Sequence, residues 1–378
     1  MNLDFTEEQE MLRTMAKDFA QKECSKATVK ELEESDLGYS PEMWKKIAEL
    51  GWLGLVFPEK YGGTDGNFLD LLVVLEEMGR NILPSPFFST VVACGLPILQ
   101  AGTEDQRQEF LTKIAQGDMI LALALTEAHG SYNASSIQVT AVAEENNYVI
   151  NGTKLFVADA HIANYLLVAA RTKDSVNPEE GVTLFLVDAK STGITCEVIP
   201  TIALDKQCEV NFCNVKVSKE NILGEVNEGW NIVNNLLLQA AIAKCAEMSG
   251  GGQACLEMTN SYAKERIQYG MPIGANQAIW HFMADMWVAV DTMRNVTYEA
   301  GWHVQEGLPA ARKLVAAAKC WADDTYKNVT DVAVHVHGAI GTTRDHDIGL
   351  YYRRAKAAEL AFGDGDYWRE VMACELGM

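Results

Sequence analysis

Residues 137–152 read IQVTAVAEENNYVING, and this stretch decides the architecture. Ile137, Val139 and Ala141 alternate with polar neighbours, the two-residue period of a half-buried strand. The polar run 144–147 turns the chain, and Tyr148, Val149 and Ile150 resume a strand. Asn151-Gly152 then predicts another hairpin turn, because both residues tolerate positive φ.

Working outward, the β pattern begins near Ile120 and continues through strand-like runs at 165–170, 182–187 and 209–217. Before it the chain looks helical. Thr6 with Gln9 fits a capping box, and Met11, Leu12, Met15, Ala16 and Phe19 follow at helical spacing. Ser40-Pro41 reads as an N-cap with proline in the first turn, Gly51 as a stop, and 60–63 as a loop. Apolar helical stretches are expected at 69–78 and 91–99. After Gly229 long helical patterns run to the C-terminus, with Ile279, Phe282, Met283 and Met286 expected on one buried face. The expectation is an α+β chain in three parts: an N-terminal helical domain over 1–118, a β domain over 119–228 and a C-terminal helical bundle domain over 229–378. Gly250-Gly251-Gly252 falls inside a helical pattern with no Lys-Ser/Thr after it. It therefore reads as close helix packing rather than a phosphate loop.

The 378 residues, 48% of them hydrophobic, suffice for a large core. Acidic residues outnumber basic ones 52 to 31, and the net charge of −21 argues against nucleic acid or an anionic membrane surface as partner. An anionic substrate would need local basic groups. There is no apolar window of about 20 residues, as a membrane span would require. The opening MNLDFTEEQE is acidic and helix-like, unlike a targeting presequence. The nine cysteines (Cys24, Cys94, Cys196, Cys208, Cys213, Cys245, Cys255, Cys320 and Cys374) contain no CxxC pair. They are expected to be reduced, mostly buried thiols in a cytoplasmic protein.

Four further segments carry chemistry. They are LALTEAHGS at 123–131, NGTKLFVA at 151–158, YAKERIQYG at 262–270 with Gln277 and Ala284-Asp285-Met286, and HVHGAIG at 335–341 followed by YYRRAK at 351–356. Together, in order and spacing, they resemble the acyl-CoA dehydrogenase family over essentially the whole chain. The resemblance implies an acyl-CoA dehydrogenase-like fold with a middle β-barrel domain and a C-terminal four-helix bundle. It also implies FAD held between the sheet and the last helical part.

Carried residue by residue, Leu125, Thr126, Gly130 and Ser131 lie on the loop that bonds the flavin ring, with Ser131 also near the CoA arm. Phe156 stands for the aromatic that shields the flavin. Ala158 stands where a hydroxyl residue serves flavin N5, so only its backbone N–H remains. Arg266, with Gln268 and Tyr269 beside it, corresponds to the arginine reaching the FAD pyrophosphate of a neighbouring subunit, a task suited to a forked guanidinium. His335, Gly338 and Ala339 stand in the Q-x-x-G-G segment, where glycine lets backbone approach a diphosphate. His335 replaces the glutamine and Ala339 a glycine, just as Ala128 replaces a proline and Tyr132 an aspartate in the first segment. His335 and His337 lack a third ligand at suitable spacing, so no metal is expected.

The family's catalytic glutamate precedes a glycine, seven residues after the Ala-Lys pair begins. Counting from Ala355-Lys356 reaches Phe362, which cannot accept a proton, followed by Gly363, whose N–H could still bond the thioester oxygen. The alternative base position used by some relatives falls on Ala240 and Ala241, with Lys244 one turn on. The acids nearest the vacant position are Glu359, Asp364 and Asp366, of which Asp364 is the candidate base. The segment FGDGDYWR at 362–369 is similar to an F-G-D-x-D-Y-H-R ending of bacterial relatives, which makes Asp364 and Asp366 candidates for shaping the FAD site as well. Phe87, Phe88, Thr90 and Val91 fall in the segment that lines the family's acyl pocket, and 84–94 holds no carboxylate.

The expected activity is FAD-dependent oxidation of the CH–CH group of an acyl-CoA, with a cyclic acyl group such as cyclohexane- or cyclohexene-carboxyl suggested by the missing glutamate. A catalytically silent FAD-binding subunit of a hetero-oligomeric dehydrogenase and a non-oxidative eliminase are the alternatives. Oxidation implies an electron-transfer flavoprotein as partner, and the neighbour-reaching arginine implies a homotetramer or dimer.

Overall fold

The computed structural model describes residues 5–378, so the first four residues of the acidic opening segment lie outside the described residues. The helices before the sheet are α1 (Glu7–Glu23), α2 (Lys26–Glu34), α3 (Pro41–Glu49), α4 (Phe68–Asn81), α5 (Leu96–Ala101), α6 (Glu104–Gln106) and α7 (Thr112–Ala115). Eight strands follow: β1 (Leu121–Ala124), β2 (Thr140–Glu144), β3 (Asn147–Ala158), β4 (Tyr165–Arg171), β5 (Val182–Asp188), β6 (Ile194–Ile199), β7 (Gln207–Ser218) and β8 (Ile222–Leu223). The chain ends with α8 (Gly229–Glu265), a small hairpin of β9 (Ile267–Gln268) and β10 (Met271–Pro272), then α9 (Gln277–Gln305), α10 (Ala311–His337), α11 (Ile348–Leu360) and α12 (Gly365–Glu375). No helix among the described residues is long and apolar enough to cross a membrane.

The capping residues act as the sequence suggests. Thr6 and Gln9 close a reciprocal capping box on α1, and Ser40 accepts the Met43 N–H at the start of α3. Gly51 takes φ +76 just past α3, as an αL stop should. The stretch expected to be one helix over 91–99 instead begins as a π-helix, Phe88–Gly95, and only then becomes α5.

Contacts divide the chain into two compact units. One holds the described residues up to Glu31 with Asn67–Leu83 and Ala241–Met378; the other holds Leu32–Gly66 and Pro84–Ala240. In the helical unit, α1 lies on α4 through Gln9 Nε2, which donates to Asp70 Oδ1 at 2.9 Å. α4 meets α8 so closely that a Cβ on Gly250 would overlap the Glu76 carbonyl, and one on Gly251 would overlap the Tyr326 hydroxyl of α10, so both glycines serve close helix packing. Buried Glu76 accepts Arg294 Nε (2.8 Å) and Tyr298 OH (2.6 Å), tying α4 to α9. The expected buried face of α9 is shifted. Only Met286 of the four named residues is fully buried; Val290 and Met293 continue the buried stripe, while Ile279, Phe282 and Met283 are half-buried.

In the other unit the strand order is β6-β7-β3-β2-β4-β5-β8, with β1 beside β4. β2 and β4 share one residue pair, Thr140 with Arg171, which joins two four-stranded halves. Val139, Ile150, Val157, Leu166, Phe185 and Val210 belong to the apolar cluster of this sheet. The Asn151-Gly152 signal was misleading. The chain does not reverse there; the pair lies inside β3, where the register with β7 shifts. Gly152 takes φ +133 and Asn151 Oδ1 accepts the Asn214 N–H, so the positive-φ preference serves a bulge rather than a hairpin. β6 escaped the sequence reading because its residues are mostly exposed, leaving no apolar alternation to see.

Candidate active site

In the sheet unit the candidate residues are organised around a buried lysine. Lys154, on β3, has no exposed surface. Its ammonium donates to the Leu125 carbonyl (3.0 Å) and to Glu127 Oε1 (2.6 Å). Burial lowers its pKa to about 8, against the opposing pull of the Glu127 carboxylate. Glu127 also accepts the N–H groups of Gln138 (2.8 Å) and Val139 (3.1 Å), and Leu155 N–H donates to the Thr126 carbonyl (2.9 Å). The loop carrying Leu125, Thr126, Gly130 and Ser131 is thereby stitched to β3. Leu125 is buried and Thr126 half-buried. Gly130 takes φ +63, and Ser131 Oγ accepts the Asn133 N–H. A second register shift, between Lys154 and Val157, puts Phe156 at φ +53 and leaves its ring 56% exposed. Ala158 is half-buried beside it.

The segment 84–96 contributes less open surface than its composition suggests. Phe87 and Val91 are buried, and Phe88 is half-buried. The buried Thr90 hydroxyl exchanges bonds with the Leu121 backbone, donating at 3.3 Å and accepting at 3.2 Å. A carboxylate missed in the sequence does reach this segment. Asp159, at φ +61 directly after β3, accepts the Ser89 hydroxyl at 2.6 Å on Oδ2. The two residues are 70 positions apart, so no motif links them.

In the helical unit Arg266 follows α8, exposed and without an ion pair among the described residues. Gln268 and fully exposed Tyr269 sit on the β9–β10 hairpin. His335 is exposed near the end of α10, edge-on to Phe282, and Gly338 ends that helix at φ +66 with Ala339 exposed after it. Next along the chain, His337 is buried, stacks on Tyr262 and donates from Nδ1 to the Ala333 carbonyl, assigned by that contact. Desolvation lowers its pKa. Lys244 is half-buried and paired with Glu247, so little of its charge is spare. Ala240 and Ala241 are fully buried.

The turn at residue 362, where the resemblance leads one to expect the base, lies between α11 and α12. Phe362 and Gly363 take φ +57 and +93. Asp364 caps α12, its Oδ1 accepting the Tyr367 N–H at 2.9 Å, a role that engages the carboxylate proposed as base. Exposed Asp366 pairs with Arg369, and Glu359 with Lys356.

An anionic dinucleotide with a flat ring needs an unengaged cation, an exposed aromatic and open backbone. The sheet unit offers the exposed Phe156 and open backbone at Gly130, and the helical unit, taken by itself, offers Arg266 and open backbone at Gly338: an added Cβ at either glycine would meet nothing within 4 Å. The residues present therefore fit FAD, which when bound supplies a two-electron hydride acceptor.

Comparison with known proteins agrees with this chemistry. Residues 6–118, 122–215 and 227–377 match the sequence profiles of the acyl-CoA dehydrogenase N-terminal, middle and C-terminal domains. A probable acyl-CoA dehydrogenase, YngJ, of Bacillus subtilis (strain 168) is 31% identical, with 100% of each chain covered. The structure of butyryl-CoA dehydrogenase from Megasphaera elsdenii superposes with a TM-score of 0.94 at 30% identity, covering 100% of both chains. The ChsE4-ChsE5 complex from Mycobacterium tuberculosis gives 0.91 at 26% identity, covering 100% of this chain and 99% of the other. The chain belongs to the acyl-CoA dehydrogenase family and is an FAD-dependent oxidoreductase of the acyl-CoA CH–CH type.

Proposed function

We propose that this enzyme acts on an acyl-CoA whose acyl group is cyclic or otherwise bulky, with the proton taken from a place other than residue 362. The observation that carries this is Phe362 itself. An aromatic side chain stands where the family's base is expected, in a turn whose neighbouring carboxylate, Asp364, is committed to capping α12. Without a base there, ordinary 2,3-desaturation of a straight chain loses its proton acceptor. A ring system offers other acidic positions. Asp159, joined to Ser89 on the segment assigned to the acyl pocket, is the carboxylate assigned to that role in this reading. FAD, when bound, would supply the hydride acceptor, and an electron-transfer flavoprotein would be the partner that reoxidises it.

The direct test is Phe362→Glu. The variant is expected to introduce or raise α,β-dehydrogenation of saturated acyl-CoAs by roughly 10²–10⁴-fold. If it folds, retains FAD and shows no gain, residue 362 does not face the substrate's α-carbon.

A second reading is favoured by the likeness to a protein solved as the ChsE4-ChsE5 complex. The chain would then be an FAD-binding but catalytically silent subunit paired with a related chain. Such a subunit, purified alone, would keep FAD yet never bleach with any thioester. An eliminase would form product with no electron acceptor present. Self-association also belongs to this proposal. Trp280, Trp287 and Val288 leave an apolar stripe exposed on α9, and Ile267, Tyr269 and Met271 are exposed on the hairpin before it.

A further inference from the structure

The edge of the sheet carries two thiols and an imidazole that no motif marks. β6 pairs with β7 so that Cys196 lies opposite Val210 and Cys208 opposite Val198. Side chains directly opposite, or two apart on one strand, share a face. Cys196 and Cys208 are therefore diagonal neighbours on the same face, and their thiols are hydrogen-bonded to each other. Cys208 is fully buried, whereas Cys196, on the edge strand, is exposed. His161, 47 positions before Cys208, brings Nδ1 to 3.9 Å from the Cys208 sulfur. Its Nε2 donates to the Leu37 carbonyl at 3.1 Å, a tautomer assigned by that contact, which leaves Nδ1 of the neutral ring as an acceptor. An exposed sulfur, a buried sulfur and an imidazole thus form one chain of contacts.

We propose that Cys196 is a modification site that takes up a small disulfide, with Cys208 and His161 as the relay for its proton. The Cys208 proton passes to His161 Nδ1 and the Cys196 proton to Cys208, leaving a thiolate at the exposed end. That thiolate attacks one sulfur of the small disulfide. The disulfide's S–S bond breaks, a bond from Cys196 to the attacked sulfur forms, and the departing thiolate takes the proton held by His161. Cys196 is oxidised to a mixed disulfide, and the other half of the small disulfide is reduced to a free thiol. The hydrogen bond from Cys208 lowers the pKa of Cys196, against the opposing effect of burial. The bond to Cys208 raises that of His161, while burial and the Lys206 ammonium oppose it. The bond to Cys196 and then burial push the Cys208 thiol up, so Cys208 donates and does not attack. Diagonal partners lie roughly 7–8 Å apart, beyond the ~7 Å between α-carbons that a disulfide allows, so the mixed disulfide persists and does not close onto Cys208. The site also touches the residues that fit the flavin. Cys208 lies opposite Val157 and Gln207 opposite Ala158, and the Lys206 carbonyl accepts the Asp159 N–H at 3.0 Å. A group added at Cys196 strains the start of β7, which holds 157–159 in place, and so loosens FAD.

The test exposes the FAD-loaded protein to glutathione disulfide and locates the modified cysteine by peptide mass spectrometry at short times. Cys196 is expected to react ahead of Cys213 and Cys374, which are also exposed. Its rate should rise with pH earlier in the wild type than in Cys208→Val or His161→Gln. A one-unit rise in thiol pKa cuts the thiolate ten-fold but makes it a better nucleophile, so each variant should react about three-fold more slowly at pH 7. At a pH above both thiol pKa values the variants should be no slower, a pattern that loosened packing would not produce. Cys213 or Cys374 reacting first, or a Cys196 profile unchanged in both variants, overturns the proposal. The link to FAD rests on the reading that Phe156 and Ala158 meet the flavin, so it is measured separately. Glutathionylated wild type should release FAD faster on dilution than the same protein after reduction, and Cys196→Ser treated alike should not. Modification at Cys196 with unchanged release overturns that link and the flavin placement behind it, not the thiol chemistry.

Discussion

Lys154 and Asp159 illustrate how single side chains shape the candidate residues of the sheet unit. Lys154 is a buried cation whose partners, the Leu125 carbonyl and Glu127, lie on the loop after β1. Removing one member of a buried ion pair typically costs 3–5 kcal/mol, because the other is left uncompensated. Lys154→Met is expected to lower the thermal midpoint and the fraction of bound FAD together. FAD retained in full would show that the loop holds its shape without the lysine. Asp159→Asn preserves size and can still accept the Ser89 hydroxyl. It is expected to slow reduction of the flavin by an acyl-CoA substrate at least about 10²-fold, with FAD content unchanged. An unaltered rate would remove Asp159 as the proton acceptor. The sequence made Thr126, Phe156 and Arg266 visible because each sits in a compact local pattern. Asp159–Ser89 and Lys319–Gly363 were not visible, since their partners are 70 and 44 residues away and only the fold brings them together.

At the scale of elements, α10, α11 and α12 meet around Asp323. Its pKa is raised from 3.8 to about 7, chiefly by burial, with Lys319 opposing and Glu359 and Asp324 adding to the rise. Between those values the folded protein holds a proton that the unfolded chain has released. The stability this contributes is complete below about 3.8 and is lost as pH rises through about 7. Urea midpoints of the wild type and Asp323→Asn should therefore differ in pH dependence. Relative to the variant, the wild type should weaken from pH 5 to 7 and then level off. A difference that is flat or reversed over that range would mean Asp323 is ionised throughout. Elements also mark where local patterns failed. Asn-Gly favours positive φ whether the chain reverses or merely bulges, and only the pairing of β3 with β7 decides between them. On α9 the half-buried Ile279, Phe282 and Met283 and the exposed Trp280 and Trp287 blur the apolar stripe that marks the interior.

For the whole molecule, the order helical, sheet, helical was legible from the change of hydrophobic period alone, and the motifs then supplied the family. The acyl group was not legible, because specificity depends on which side chains the fold brings to the pocket. The exposed tryptophans of α9 bear on assembly. If copies associate through them, Trp287→Glu should shift the particle to smaller mass in light scattering and release FAD, since Arg266 would no longer reach a neighbour's cofactor. Added salt should favour association by screening the net charge of −21. A monomer that keeps FAD would contradict this arrangement. The most direct test of the central claim is an anaerobic titration of the pure, FAD-loaded protein with cyclohexane- and cyclohexene-carboxyl-CoA beside straight-chain thioesters, following the flavin absorbance. Bleaching by a cyclic thioester, with little or none by butyryl-CoA, is the predicted result; a flavin that stays oxidised with every thioester, or a protein that binds no FAD, would contradict it.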